Sequence, residues 1–270
     1  MTEFSRTDRD ALLDAAHAAA DAASVVTLKY FRGSDLHTET KEQSHFDPVT
    51  RADREAEQAI RAVLQQMRPD DGILGEEFSP TEGRNGLTWV LDPIDGTRGF
   101  ISGTPTWGTL ISVRDASGPI LGIIDQPYTG ERFVGGFGIA ELHRLGNKSP
   151  ISVRPAAALS RAILFTTFPE VGSIEEGAAF RALSKQVQLT RYGMDCYAYA
   201  LLAAGNIDLV VEAGLQSYDV QAPIAVIEAA GGIVTDWRGR PAHEGGRILA
   251  AASTDLHHAA LKVLQEAPEL

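Results

Sequence analysis

Apolar residues at the start of the chain recur with the period of an α-helix. Between residues 7 and 32 they are spaced by three or four positions, which predicts one amphipathic helix with Thr7 as its N-cap. Thr50 is the expected cap of a second helix that ends at residue 67. The second helix should turn Ala56, Ile60, Val63, Leu64 and Met67 inward and Arg51, Arg54, Glu57 and Gln65 outward. The polar segment between the helices, residues 33–44, is a candidate mobile flap.

Farther along the chain the pattern changes to the period of two that is typical of β-strands. Runs with this pattern lie at residues 109–114, 120–125, 132–137, 139–143 and 151–153. Turn residues separate the runs, and Gly146 with Asn147 is expected to form one of these turns. The order of runs and turns predicts an antiparallel meander.

Beyond residue 162 strands and helices alternate. Strands are expected at residues 163–166, 187–191, 207–212, 232–236 and 248–251, and helices at residues 177–185, 196–204, 220–230 and 256–266. Such alternation favours a layered α/β arrangement. We therefore divide the chain into an N-terminal α+β half, residues 1–157, and a C-terminal α/β half, residues 158–270, which should pack as one compact unit.

Composition and charge narrow the function. The chain has 270 residues, 44% of them hydrophobic, which is enough for one large domain or two smaller ones. Its formal charge of -12 disfavours nucleic acid and anionic membranes as partners. The single cysteine, Cys196, excludes an intrachain disulfide and a cysteine zinc cluster. Since no apolar run approaches the roughly 18 residues of a membrane span and no secretory pattern opens the sequence, we expect a cytoplasmic protein.

The candidate chemistry is concentrated in residues 89–97, Trp-Val-Leu-Asp-Pro-Ile-Asp-Gly-Thr. The first three residues predict a short buried strand that ends at Asp92, so that Asp92 and Asp95 leave the core together on a stiff turn. Thr97 is the expected cap of a following helix, with its own N–H group and that of Gly96 free to face an anion. Fixed carboxylates beside free amides indicate a divalent cation that meets a phosphate group.

Further acidic residues accompany this stretch at Asp47, at Glu76 and Glu77, and at Asp219. Several carboxylates that meet in one cleft repel each other unless a cation neutralises them. Oxygen ligands favour a hard cation, Mg²⁺ or Mn²⁺, and the histidines show no metal-binding pair. Asp219 precedes an apolar helix, so a simple capping role is an alternative for that residue.

Three segments stand out together: Gly75-Glu76-Glu77, the string at residues 89–97, and Tyr218-Asp219 before an apolar helix that ends in Ala-Ala-Gly-Gly. They resemble the signatures of the inositol monophosphatase family. Residues 100–111 and 193–199 further resemble the histidinol-phosphate phosphatase branch of the family. Tyr218 is a departure, because inositol monophosphatases usually have Trp before the last aspartate.

The resemblance implies an α/β fold, the layered α/β/α/β/α sandwich shared by inositol monophosphatases and fructose bisphosphatases, and a homodimer. It also implies two or three Mg²⁺ ions per active site, with Mn²⁺ as an alternative. The implied metal ligands are Glu76, Asp92 and the carbonyl of Ile94 at a first site, and Asp92, Asp95 and Asp219 at a second. The implied catalytic residues are Asp47, Thr97 and Glu76, and the N–H groups of Gly96 and Thr97 would hold the phosphate.

The residues that select the substrate are expected in the second half of the chain, since residues 89–97, the metal loop, contact only the phosphate. By resemblance, Glu212 contacts the alcohol part of the substrate, a small phosphorylated metabolite. Asp195 either receives a substrate ammonium group or caps the helix that begins at Cys196. Arg191 and Gly193, in the same segment, complete the candidate substrate-binding set.

The leading interpretation is a Mg²⁺-dependent phosphomonoester hydrolase that acts on L-histidinol phosphate. Alternatives that share the metal site are phosphatases for inositol monophosphate, 3'-phosphoadenosine 5'-phosphate or fructose bisphosphate. A binding factor in a transcription complex and a structural cation-binding protein are alternatives of other classes, and the acidic composition disfavours the first of these two. The absence of a Walker A string leaves phosphate transfer from ATP unsupported.

Overall fold

A computed structural model describes residues 4–33, 38–40, 48–155 and 158–266. Asp47 and most of the candidate flap lie outside these ranges. The helices are α1 Arg6–Tyr30, α2 Arg51–Met67, α3 Thr97–Ser102, α4 Ile174–Ser184, α5 Tyr197–Ala203, α6 Ser217–Ala229 and α7 Thr254–Glu266. The strands of the first half are β1 Thr38–Thr40, β2 Pro48–Thr50, β3 Gly72–Gly75, β4 Thr88–Asp95, β5 Gly108–Asp115, β6 Gly118–Gln126, β7 Glu131–Gly136, β8 Ile139–Arg144 and β9 Asn147–Pro150. Those of the second half are β10 Ile163–Thr166, β11 Leu189–Tyr192, β12 Leu209–Leu215, β13 Ile233–Thr235 and β14 Gly246–Ala251.

Strands β3 to β9 form a seven-stranded sheet in chain order. Only β3 and β4 pair in parallel, and the antiparallel pairs from β4 to β9 confirm the predicted meander. The strand predicted at residues 151–153 is wrong, because β9 lies earlier. The turn predicted at Gly146 and Asn147 lies one residue earlier. Leu145 and Gly146 both have positive φ, 51° and 77°, and form a two-residue turn that pairs Arg144 with Asn147.

The second sheet has five strands in the order β11-β10-β12-β14-β13. Strands β10, β11 and β12 are parallel, and β14 runs antiparallel to β12 and β13. Side chains alternate between the two faces of β12, so Val210 packs into the core between the sheets while Leu209 and Val211 pack on the outer face. The predicted boundary at residue 157 lies between β9 and β10.

The layers follow from which faces are apolar. Helices α1 and α2 cover one face of the seven-stranded sheet, with Leu12, Ile60 and Trp89 in one core. Helices α5 and α6 lie between the sheets, and α4 and α7 cover the outer face of the five-stranded sheet. This order is the α/β/α/β/α sandwich that the resemblance implies.

The first helix begins at a different cap from the one predicted. Ser5, and not Thr7, is the N-cap, because the Ser5 hydroxyl accepts from the Asp8 N–H at 3.2 Å and the Asp8 carboxylate accepts from the Ser5 N–H. By length and composition α1 could cross a membrane. Eight of its residues are nevertheless buried, including the alanines that pack against α2.

The second helix keeps its predicted cap, since Thr50 and Asp53 form a reciprocal capping box. The predicted faces are wrong at two positions. Met67 is 43% exposed at the end of the helix, and Glu57, expected in solvent, has no exposed surface. Glu57 is buried because Arg61, one turn later, pairs with it at 2.7 Å.

Candidate metal and phosphate site

Strand β4 extends through the two acidic residues that were predicted to follow it. Asp92 pairs with Leu110 and Asp95 with Gly108, so β4 contains one extra residue at this point. Such a bulge bends the strand and redirects its side chains. The Asp92 Oδ1 atom also accepts from the Ile94 N–H at 3.0 Å, which holds the turn between the two aspartates.

Helix α3 follows directly, and its first residue is Thr97. The predicted capping role of Thr97 is wrong, because Gly96, with φ of 82°, occupies the N-cap position. The Thr97 hydroxyl instead donates to the Ile94 carbonyl at 3.2 Å. The positive φ explains why glycine stands at this turn into the helix.

The carboxylates of Asp92, Asp95 and Asp219 converge beside this turn and form the acidic group. One oxygen each of Asp92, Asp95 and Asp219 lie within 4.8 Å of one another. Asp219 belongs to the first turn of α6, where its Oδ2 atom also accepts from the Gln216 N–H at 2.7 Å. The capping role considered for Asp219 and its place in the acidic group therefore coexist.

Burial and mutual repulsion raise the pKa values of this group. Burial raises the pKa of Asp92 well above its usual value, and the charges of Glu76, Asp95 and Asp219 raise it further. For Asp219 burial is again the main cause and brings the pKa to about 7. Asp92 is buried, and Asp95 and Asp219 are partly buried. Such close carboxylate oxygens with raised pKa values fit a hard divalent cation, which would relieve the repulsion.

A further buried carboxylate lies behind Thr97. Asp53 Oδ1 lies 3.5 Å from the Thr97 hydroxyl, while Asp53 Oδ2 accepts from the N–H and hydroxyl groups of Thr50. Burial raises the pKa of Asp53 to about 7. The family resemblance implies a catalytic role for Asp47 together with Thr97, and Asp47 lies outside the described residues. The carboxylate that the structure places beside Thr97 is that of Asp53. The capping box Thr50-x-x-Asp53 was the signal available in the sequence.

A cavity of about 400 Å³ opens above the acidic group. Its acidic lining residues are Glu76, Asp92, Asp95, Asp195, Glu212 and Asp219, and Ile94, Gly96 and Thr97 also line it. Arg98 is the one Lys or Arg in the lining among the described residues, and its guanidinium lies 4.9 Å from the ring centroid of Phe168. Two residues that the sequence predicts to bind substrate, Arg191 and Gly193, do not line the cavity, and both are exposed. Arg191 lies on β11, which is an edge strand of the five-stranded sheet.

Asp195 joins the second half of the chain to the metal loop. The capping role considered for Asp195 is wrong, because Cys196 occupies the N-cap position of α5. The Asp195 Oδ2 atom accepts from the Thr106 hydroxyl at 2.9 Å. Its carboxyl group lies so close to α3 that a Cβ atom at Gly96 or Gly99 would approach it to 2.7 or 3.0 Å. Both positions therefore require glycine.

Glu212 also lines the cavity, where it is buried and held by three donors. Its Oε1 atom accepts from the N–H group of Thr167 at 3.0 Å and from the Thr167 hydroxyl. Its Oε2 atom accepts from the Tyr199 hydroxyl at 2.7 Å. Burial raises the pKa of Glu212, whereas these donors favour its ionised form.

The chain belongs to the inositol monophosphatase family, whose model matches residues 8–269. It is a phosphatase of that family. It is 40% identical to the bifunctional phosphatase IMPL2 of Arabidopsis thaliana, over 98% of this chain and 78% of the relative. It is 34% identical to the histidinol-phosphatase of Streptomyces coelicolor, over 93% and 96% of the two chains. The solved structure of an inositol monophosphatase from Zymomonas mobilis has 39% identity and a TM-score of 0.83, with 97% of this chain and all of that chain covered.

Proposed function

We propose that the enzyme hydrolyses L-histidinol phosphate to L-histidinol and phosphate with Mg²⁺ as cofactor. The observation that carries the proposal is the negative charge that the cavity lining carries in addition to the acidic group. Asp195 and Glu212 both line the cavity, and both accept hydrogen bonds from hydroxyl groups. A cationic alcohol such as histidinol complements two carboxylates better than a neutral polyol does. Relatives named histidinol-phosphatase at 33–34% identity support the same substrate.

The acidic group, Glu76 and the Ile94 carbonyl would hold the metal. Glu76, Asp92 and the Ile94 carbonyl would bind one ion, and Asp92, Asp95 and Asp219 would bind a second. When bound, the ions would lower the pKa of a water molecule and neutralise charge on the phosphate. Further ions, or Mn²⁺ in place of Mg²⁺, would use the same carboxylates.

Thr97 and Asp53 would handle the proton of the attacking water. Thr97 lines the cavity at the start of α3, and its hydroxyl lies 3.5 Å from Asp53 Oδ1. Thr97 would accept a proton from the water while passing its own to Asp53, which is ionised above a pH of about 7. The first N–H groups of α3, at Gly96 and Thr97, would hold the phosphate oxygens.

Phosphate release from a panel of substrates tests the proposal. The panel is L-histidinol phosphate, myo-inositol 1-phosphate, fructose 1,6-bisphosphate and 3'-phosphoadenosine 5'-phosphate, each with Mg²⁺ and with EDTA. We expect the highest kcat/KM with histidinol phosphate and no turnover in EDTA. A higher kcat/KM for any other substrate would contradict the proposed specificity, and full activity in EDTA would contradict the proposed cofactor.

Hydrolysis of an inositol monophosphate is the second candidate. It is favoured by the 39% identity to the Zymomonas mobilis structure and by the inositol-1-monophosphatase of Caulobacter vibrioides, which is 32% identical over 93% of this chain. In that case the Tyr199 and Thr167 hydroxyl groups beside Glu212 would lie near substrate hydroxyls. The panel separates the two candidates directly.

A further inference from the structure

Helix α2 presents three charged residues along one face. Asp53, Glu57 and Arg61 are spaced by four positions, so they lie one above the other along the helix. They are nearly or fully buried, with side-chain exposure of 0% for Glu57 and 11% for Arg61. Asp53 lies behind Thr97, which leaves Glu57 and Arg61 without a role in the mechanism above.

Glu57 contacts the backbone on both sides of Glu76. Its Oε2 atom accepts from the Glu77 N–H at 2.7 Å. A Cβ atom at Gly75 would lie 2.0 Å from its Oε1 atom, so the carboxylate rests directly on the glycine. Gly75 is therefore required for close approach of the two segments, and Glu57 covers the chain just before and just after Glu76.

Arg61 holds the next part of the same segment. Its Nε atom donates to Glu57 Oε1 at 2.7 Å, and its Nη2 atom donates to the Phe78 carbonyl at 3.2 Å. Its Nη1 atom donates to the Thr81 hydroxyl at 3.3 Å. One guanidinium group thus ties α2 to the chain that leaves Glu76, in the fork geometry that only arginine provides.

The segment needs such support because the sheet stops before it. Strand β3 ends at Gly75, and residues 76–78 form a bend outside the ladder of hydrogen bonds. Glu76 nevertheless lies close enough to Asp92 to raise the pKa of that residue. Contacts from α2 therefore hold the Glu76 segment in position, whereas β-sheet pairing holds Asp92 and Asp95.

We propose that Glu57 and Arg61 form a buried clamp that positions Glu76 and thereby sets the affinity of the site for divalent cations. This inference rests on the proposed Mg²⁺ function. A buried ion pair contributes little net stability compared with apolar side chains of the same volume, so positioning gives a reason for its presence. Partners that orient metal ligands commonly change metal affinity by about 10- to 100-fold when they are lost.

Mg²⁺ binding to the substrate-free protein tests the clamp. Isothermal titration calorimetry on wild type, Glu57→Gln, Arg61→Lys and Gly75→Ala should show dissociation constants for Mg²⁺ raised by about tenfold or more in each variant. Arg61→Lys keeps the positive charge but removes the guanidinium N–H donors that bind Glu57, Phe78 and Thr81 at the same time. Gly75→Ala places a methyl group against the Glu57 carboxylate. At saturating Mg²⁺, kcat should approach the wild-type value because the reacting groups are unchanged.

Arg68→Lys is the matched control. Arg68 caps the C-terminus of α2 and pairs with buried Asp71 at 2.8 Å, away from the Glu76 segment. The same substitution should therefore leave Mg²⁺ affinity within about twofold of wild type, although stability falls. Melting temperatures in EDTA report the loss of stability for every variant, so affinity and stability are compared separately.

The outcomes are distinguishable. Folded Arg61→Lys and Gly75→Ala proteins with wild-type Mg²⁺ affinity would overturn the clamp, as would an equal loss of affinity in Arg68→Lys. If Glu57→Gln does not fold, the other two variants decide. Wild-type protein that hydrolyses no member of the substrate panel but binds Mg²⁺ would refute the proposed function and leave the clamp to be judged on affinity. Wild-type protein that binds no Mg²⁺ would overturn both.

Discussion

At the scale of single residues, the acidic group opposes folding as long as no cation is bound. Asp92 is 2% exposed and lies beside three other carboxylates. Replacement of one of them by a neutral amide removes repulsion and removes a metal ligand at the same time. Such trade-offs between stability and activity are common where a site is built from like charges.

Asp92→Asn should therefore separate the two effects. We expect kcat/KM to fall by roughly 10³-fold or more, because several kcal/mol of charge stabilisation depend on the cation. We also expect the melting temperature in EDTA to rise, by the equivalent of about 1 kcal/mol. Phosphate-release kinetics and thermal unfolding measure the two. Near-normal turnover would remove Asp92 from the metal site.

The raised pKa values of Asp53 and Asp219, both about 7, imply a pH dependence of stability. In the unfolded chain an aspartate titrates near pH 3.9, so the folded protein holds extra protons between about pH 4 and pH 7. The metal-free protein should lose stability as the pH rises through that window. Because metal binding requires ionised carboxylates, the gain in melting temperature from Mg²⁺ should be larger at pH 8 than at pH 6. An equal gain at both values would contradict this expectation.

Asp195 requires a conservative substitution, since it also braces the metal loop through Thr106 and the α3 backbone. Asp195→Asn keeps the size and an acceptor for Thr106 but removes the charge. We expect KM for histidinol phosphate to rise by about tenfold, the equivalent of one charged hydrogen bond, with KM for inositol 1-phosphate nearly unchanged. Equal increases for both substrates would indicate a bracing role alone.

At the scale of elements, the turn from α2 into β3 depends on one of two adjacent aspartates. Asp71 is 5% exposed and accepts from Arg68, from Asn85 at 2.6 Å and from the Trp89 indole N–H at 2.8 Å. The side chain of Asp70, its neighbour, is 64% exposed and lies 3.9 Å from Arg84. The two residues therefore form a matched pair for mutagenesis.

Asp71→Ala should lower the free energy of unfolding by roughly 3 kcal/mol, because it leaves Arg68 and the Trp89 indole without their acceptor. Asp70→Ala should change it by no more than about 0.5 kcal/mol. Urea denaturation of both variants in EDTA measures the difference. Similar losses in the two variants would show that the buried network adds little to stability.

Periodicity predicted α2 and its cap correctly but not its polar face. A charged residue is assigned to solvent unless a partner is visible, and the partner of Glu57 is Arg61 together with a backbone N–H group 20 residues away. The hydrophobic pattern also misplaced the strand that follows β8. The two-residue turn at Leu145 and Gly146 sets the position of β9, and an apolar triplet at residues 151–153 does not.

At the scale of the whole molecule, the family resemblance implies a homodimer. Sedimentation equilibrium should then give twice the chain mass of 29.0 kDa. The formal charge of -12 should also keep the dimer off nucleic acid at physiological salt. Relatives named Nus factor SuhB, at 30% identity, make an RNA gel-shift assay a useful companion measurement. A monomer at micromolar concentration would contradict the expected assembly.

The sequence by itself determined what depends on near neighbours. Helical and strand periods, the Thr50 cap and the string at residues 89–97 are local patterns, and they predicted the meander, the alternating second half and the acidic loop. The complete sandwich was implied by the family resemblance. Only the tertiary structure decided which distant groups meet. Asp53 and Thr97 are 44 positions apart, and Asp95 and Cys196 are 101 apart. Contacts over such separations depend on how the layers stack, and that same stacking placed Arg191 on an exposed edge strand and brought Asp195 against α3.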